Sequence, residues 1–255
     1  MAIKTEVETR FGDLEMLVVR APFDQDIAAL QREKATLATA QQVAQARIVA
    51  GPTHNVSQYS SWVAENFVYF PNGKIFVTQA EHSPFLKHSA EATDAHRSGR
   101  QFYISEEEAA SLEKLAESGE AYTLKKNESY QIPIKEFAED GLAKFLFGDT
   151  TADYANFLQN AGVYEVPVFL AGSKYQKKQK APFAHALWVR FLGNSSGLDG
   201  CGRAINYYVD GGMRGVRKAS DQVSQKSAEV ANAYESIAQK YGLKSPDKLQ
   251  EVLEK

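Results

Sequence analysis

Apolar positions along this chain follow two rhythms, one of period two and one near 3.6, and their alternation sets out the elements. The run LEMLVVR at 14–20 is apolar and partly β-branched, which predicts a strand. Apolar residues then recur at helical spacing from Asp24 to Ala50, where Gly51-Pro52 ends the pattern. Ile27, Leu30, Leu37, Ala44 and Ile48 sit near heptad spacing, so one long helix is predicted. Its narrow stripe packs either on the chain's own sheet or against a second copy.

Residues 66–79 (NFVYFPNGKIFVTQ) hold two β-rich runs around Pro71-Asn72-Gly73. Asn and Gly both tolerate positive φ, so a hairpin follows. Ser83-Pro84 opens a helix running to Gly99, QFYIS (101–105) reads as a strand, and Ser105 with Glu108 forms a capping box for a helix to about Glu117. YTLKK and YQIPI predict two short strands. Phe137, Leu142, Phe145 and Leu146 mark a helix ending at Gly148, and Tyr154, Phe157 and Leu158 mark another from Thr150 or Thr151 to Gly162.

YEVPVFLA is a strand that Pro167 sends to a sheet edge, because proline donates no ladder bond. FAHALWVRFL and RAINYYVD are strands joined by a glycine loop, Gly193–Gly202. Ser220 caps a last long helix to Gly242, and Ser245-Pro246 starts a short one. The expected class is α+β: an antiparallel or mixed sheet with a long N-terminal helix, several middle helices and a C-terminal helix. A single domain over 1–255 is expected. The alternative is a division into an acidic α+β body at 1–172 and a basic glycine-rich hairpin with C-terminal helices at 173–255.

Composition adds little until it is taken region by region. The net charge is −3, but residues 174–218 carry nine basic and two acidic residues, a net +7, while the remainder carries 20 and 30, a net −10. The same stretch holds seven of the 17 glycines. A basic, aromatic, glycine-rich patch on an acidic body points to an anionic ligand. One cysteine, Cys201, excludes a disulfide within the chain and a four-thiolate zinc site. MAIKTEVETRFGDLE lacks the apolar run of a signal peptide, and VYEVPVFLA falls far short of the ~20 residues a membrane helix needs. A cytoplasmic protein without a membrane partner is expected, which makes the sequons at Asn55, Asn127 and Asn194 chance matches.

Alternation along 183–192 puts Phe183, His185, Leu187, Val189 and Phe191 on a core face, and Trp188 and Arg190 on the other, beside Tyr208 of the partner strand. That second face either stacks unpaired bases or lies under a helix. The candidate nucleic-acid contacts are Lys174, Lys177, Lys178, Lys180, Trp188, Arg190, Arg203, Tyr208, Arg214, Arg217 and Lys218. Gly197, Gly200 and Gly202 are candidates for a backbone phosphate cradle, although the loop lacks a P-loop's Lys-Ser/Thr ending. Gly193-Asn-Ser195-Ser-Gly197 matches a hydrolase elbow only formally, since glycines follow where a helix is needed and no histidine comes later. His82, His88 and His96 lie among Glu81, Glu91 and Asp94, but His96 sits round the helix from His88, so no metal and no cofactor is expected.

Three functions remain open at this point. The first is a binding module for single-stranded RNA, DNA or another polyanion at 174–218. The second is an enzyme on a phosphorylated or nucleotide substrate, using Asp199, Asp210 or His185 as acid, base or ligand. The third is a structural subunit that self-associates through the 24–50 helix.

Overall fold

The computed structural model describes residues 3–192, 196–201 and 211–219. The chain divides into two compact units, Met1–Arg217 and Lys218–Lys255, and the account below is of the first. The predicted strand 203–210 and the helices from Ser220 and Ser245 lie outside the described residues.

The chain starts with a hairpin, β1 (Thr5–Phe11) and β2 (Leu14–Val19), paired antiparallel. Its two-residue loop is Gly12-Asp13, with Gly12 at φ 56, a backbone that glycine adopts without strain. The predicted 24–50 helix does not form as one piece. It is α1 (Phe23–Arg32), a short strand β3 (Thr36–Leu37) and α2 (Ala40–Ala50). α1 closes in a Schellman pattern: Lys34 takes a left-handed φ of 54, its N–H donates to the Gln31 carbonyl, and Ala35 donates to Leu30. α2 then restarts on a capping box between Thr39 and Gln42. Leu30, Leu37 and Ala44 of the proposed dimer stripe are buried within the chain.

After α3 (Asn55–Gln58) come β4 (Ser60–Tyr69) and β5 (Ile75–Thr78), the hairpin announced by Asn72-Gly73. The Ser83–Gly99 segment is two helices, α4 (Pro84–Lys87) and α5 (Ser89–Arg97), broken at His88 (φ −119). QFYIS makes only a bridge, Tyr103 to Phe183, before the capping box opens α6 (Glu106–Ser118). β6 (Ala121–Thr123) and β7 (Tyr130–Pro133) follow. The next helical stretch is α7 (Ile134–Phe137) and α8 (Gly141–Phe147), the second capped by Asp140, and then α9 (Thr151–Asn160). β8 (Glu165–Phe169), α10 (Ser173–Gln176), β9 (Phe183–Val189), β10 (Leu198–Asp199) and β11 (Gly211–Lys218) complete the description.

Among the described residues eleven strands form one mixed sheet, ordered β1-β2-β11-β4-β9-β10-β8-β7. β3 attaches to β11, and β5 joins β4 to β6. β9 and β11 flank β4, so the sheet runs across position 172. β8 is not an edge strand, since it pairs with β7 and β10. β10 reaches only Val168 and Phe169, however, so on that side Pro167 lies past the ladder and no N–H is missed.

Both faces of the sheet are covered, which is why every residue of β4 is buried. Val63, Phe67, Tyr69 and Leu187 pack beneath α2, α7, α8 and α9, against Val43, Phe137, Leu146 and Leu158. Trp62, Ala64, Val68, Ala184 and Ala186 face the other way, against Leu30 of α1, Ala92 of α5 and Leu112 of α6. Each fully buried large apolar side chain contributes roughly 1.5–3 kcal/mol. A central strand inside two cores must be apolar on both sides, as β4 is.

Candidate functional site

The basic residues that the sequence grouped together separate into three environments. Arg214 is completely buried: its guanidinium pairs with Glu8 of β1 and donates to the Ser60 carbonyl at 3.0 Å. Arg217 pairs with Glu15 (3.1 Å) and Glu33 (2.9 Å). These two arginines hold β11 to the N-terminal hairpin and α1, and neither offers a free guanidinium to a phosphate. Arg190 lies over the Phe169 ring at 5.0 Å and 3.9 Å from Asp199. Lys218 is exposed, and Arg203, Tyr208 and Gly202 lie outside the described residues.

The lysines behave differently. Lys174, Lys177, Lys178 and Lys180 are all exposed, on α10 and the turn after it. Lys177 and Lys178 make no ion pair among the described residues. Lys180 stands over the Tyr103 ring at 5.3 Å. Lys174 helps hold the Glu128 carboxyl below its ordinary range, after the larger effect of hydrogen bonds from Ser173.

Trp188 is not an open stacking platform. It lies ring to ring on Trp62, centroids 4.7 Å apart and planes 14° from parallel, and Phe23 of α1 meets Trp62 edge-on. Two of the three glycines of the candidate phosphate cradle are described. Gly197 and Gly200 are buried packing positions: a Cβ on the first would meet the Pro167 carbonyl at 2.7 Å, and one on the second would run into the Phe67 ring. The Gly200 carbonyl faces inward, accepting from the Tyr69 hydroxyl (2.9 Å) and facing His185 Nδ1 (2.7 Å).

Beside the lysine turn lies a cleft of about 450 Å³ that sequence reasoning did not find. The end of α5 and the turn to Phe102 form one wall, Leu170–Tyr175 the other, with His185 and Cys201 between them. His185 is buried, and loss of water pushes its pKa down to about 4, against the opposing effect of its bond to Gly200. It is therefore neutral at pH 7. Burial likewise lowers the pKa of His96 at the cleft wall. Gln101 bridges the opening, with its Nε2 3.0 Å from His185 Nε2 and its Oε1 accepting from the Tyr175 hydroxyl at 2.9 Å. The cleft is assembled from segments more than a hundred residues apart, from Phe85 to Cys201. His185 on its apolar strand was the one residue whose type and position hinted at it.

His82, His88 and His96 do not converge. His88 contacts Glu108 at 2.8 Å and His82 approaches Glu120 at 3.6 Å, and among the described residues no group of three or more ligating side chains could hold a metal. No helix among the described residues is long and apolar enough to cross a membrane.

No family model matches this chain, and no curated protein matches it. A solved structure does, from work described as the accommodation of massive sequence variation in Nanoarchaeota by the C-type lectin fold. It superposes with a TM-score of 0.56 at 12% identity, over 86% of this chain and 98% of that one. The likeness is one of fold. The C-type lectin fold is compatible with the α+β class read from the sequence, and at this identity it carries no site or activity across.

Proposed function

We propose that this chain is a binding module for a polyanion, single-stranded nucleic acid, and that the Lys174–Lys180 turn is where the phosphates sit. The observation that carries the reading is four exposed lysines within seven residues, none of which makes an ion pair among the described residues. Leaving Lys177 and Lys178 unpaired on an otherwise acidic body makes them the natural counterions of an anionic strand. Arg214 and Arg217, counted with them from sequence, serve the fold instead. The reading therefore narrows from 174–218 to one turn.

The alternatives find less support. For an acid–base site, His185 has both ring nitrogens engaged, and Asp199 accepts from the Cys201 N–H at 2.9 Å while facing Arg190. For self-association, the stripe that was to form the interface is spent inside the fold. The Nanoarchaeota structure is described as a fold that accommodates massive sequence variation.

The test is a binding titration of the full chain against single-stranded RNA, single-stranded DNA, duplex and heparin at several salt concentrations. Affinity that falls steeply with salt supports the proposal. No binding, or binding indifferent to salt, refutes it.

A further inference from the structure

We propose that Tyr175 gives the lysine turn its selectivity for single strands, by stacking one unpaired base against its ring. This rests on the polyanion reading for the strand's phosphates, but lysines alone do not distinguish a single strand from other polyanions. Duplex DNA carries a phosphate charge about every 1.7 Å of its length, twice the density of one strand, so charge by itself favours the duplex. A single strand offers the open faces of its bases, and these stack on aromatic side chains without regard to sequence.

Few rings among the described residues are open to such a contact. Trp188 is laid on Trp62, and Lys180 stands over the half-buried Tyr103 ring at 5.3 Å. The exposed aromatic side chains are Tyr59, Tyr164 and Tyr175. Arg20 already stands over the Tyr59 ring at 5.9 Å, and Tyr164 lies in a stretch, 155–173, that holds no lysine. Tyr175 is 45% exposed and sits within the lysine turn, directly after Lys174 and two residues before Lys177.

The ring is also held in place. Its hydroxyl donates to Gln101 Oε1 at 2.9 Å, and it meets the buried Phe183 of β9 edge-on, with centroids 5.9 Å apart and planes at 85°. The turn that carries it is pinned from below, where the fully buried Gln176 donates its side-chain amide to the Ala171 carbonyl and the Ser173 N–H donates to Glu128 at 3.0 Å. Gln179 ties the far end, donating to the Tyr175 carbonyl at 3.2 Å and accepting from the Tyr103 hydroxyl at 2.9 Å. A ring fixed before its ligand arrives loses little freedom on binding, so more of the contact appears as affinity. Lys174 and Lys177 stand three residues apart on α10 and its C-cap, neighbours along the turn, and a strand that meets both carries its bases beside the ring.

The experiment measures binding of the full chain, at one salt concentration, to oligothymidylate, to an abasic deoxyribose phosphate oligomer of the same length, to duplex DNA and to heparin. Oligothymidylate is expected to bind about tenfold tighter than the abasic oligomer, as for one base stacked on an aromatic ring. Tyr175→Leu should bring those two to equal affinity and shift the balance between single strand and duplex toward the duplex by the same factor. Tyr175→Phe, which keeps the ring and loses the hydroxyl, should retain the difference. A strand carrying 5-iodouracil, irradiated with the unaltered protein, should cross-link at Tyr175, and this readout carries the test if the leucine variant does not fold. Equal binding of the two oligomers by the unaltered chain, a preference that survives Tyr175→Leu, or a cross-link confined to other residues overturns the inference. Heparin binding in that case leaves the lysine reading standing. Replacing Lys177, Lys178 and Lys180 by Ala should weaken every polyanion and leave the ratio of the two oligomers unchanged. Heparin and abasic affinities unmoved in that variant remove the lysine reading, and no binding to any of the four removes both.

Discussion

Trp188 separates a stacking platform from a core residue by a measurable sign. Its ring lies on Trp62 at 4.7 Å, yet its indole Nε1 is buried without a hydrogen-bond partner among the described residues. Two effects therefore oppose each other when it is changed. Trp188→Ala removes the stacked ring and leaves a cavity. Full truncation of a core tryptophan costs ~3–5 kcal/mol, and because Trp188 is only half-buried the lower figure applies, about 3 kcal/mol. For a unit of this size that is a fall in Tm of roughly 6–12 °C. Trp188→Phe keeps an aromatic ring against Trp62 and deletes the unpaired donor. The smaller ring costs ~1–2 kcal/mol, while removing a buried unsatisfied N–H returns ~1–3 kcal/mol, so the net change lies between a loss of about 1 kcal/mol and a gain of about 2 kcal/mol. Urea denaturation of both variants, with single-strand affinity measured alongside, tests the argument. Stability unchanged in Trp188→Ala together with a large loss of affinity would refute it and restore Trp188 as a base-stacking surface.

Two further perturbations test the fold around the site. Arg47 is buried and donates to the Val56 and Arg190 carbonyls and the Tyr154 hydroxyl at 2.8–3.0 Å, with longer contacts to Tyr59 and Val189, and it has no ion-pair partner among the described residues. Arg47→Met relieves a buried charge but strands those acceptors, so a net loss of about 3 kcal/mol is expected in chemical denaturation. Glu65 accepts from the Ala40 N–H at the start of α2 at 3.0 Å, and burial pushes its pKa up to about 7. The folded chain then holds this proton more tightly than the unfolded chain does. Its contribution to stability is complete below pH 4 and is lost as pH rises through 7, and Glu65→Gln should flatten that part of the stability–pH curve.

The sequence spoke most clearly where structure is local. Asn72-Gly73 sets the β4–β5 turn, and Ser105 with Glu108 sets the start of α6. The error at 24–50 was also local. The Thr39–Gln42 capping box was readable, but it lay inside a convincing heptad stripe, and the helix end at Lys34 carries no glycine or asparagine to announce it. Gly12-Asp13 was a legible turn that pointed to β1, which went unread. The charge count misled for a different reason. It treats arginines as free, whereas Arg214 and Arg217 meet Glu8 and Glu15 at separations of 206 and 202 residues. Pairing at that range is a property of the sheet order and has no local signature. The same holds for the cleft, where Gln101, Tyr175 and His185 meet only because β9 lies beside β4 and the Tyr103 bridge draws the α5 turn over it.

The most direct test of the proposed function is the salt slope of single-strand binding in two proteins, the unaltered chain and the variant with Lys177, Lys178 and Lys180 all changed to Ala. Each phosphate contact on a single strand contributes about 0.7 to the slope of log affinity against log salt. If the three lysines each neutralise one phosphate, the variant's slope should be shallower by roughly 2, with little change in preference among sequences, because phosphate contacts carry no base information. Equal slopes in the two proteins would contradict the account and place the anionic strand, if one binds, elsewhere on the molecule.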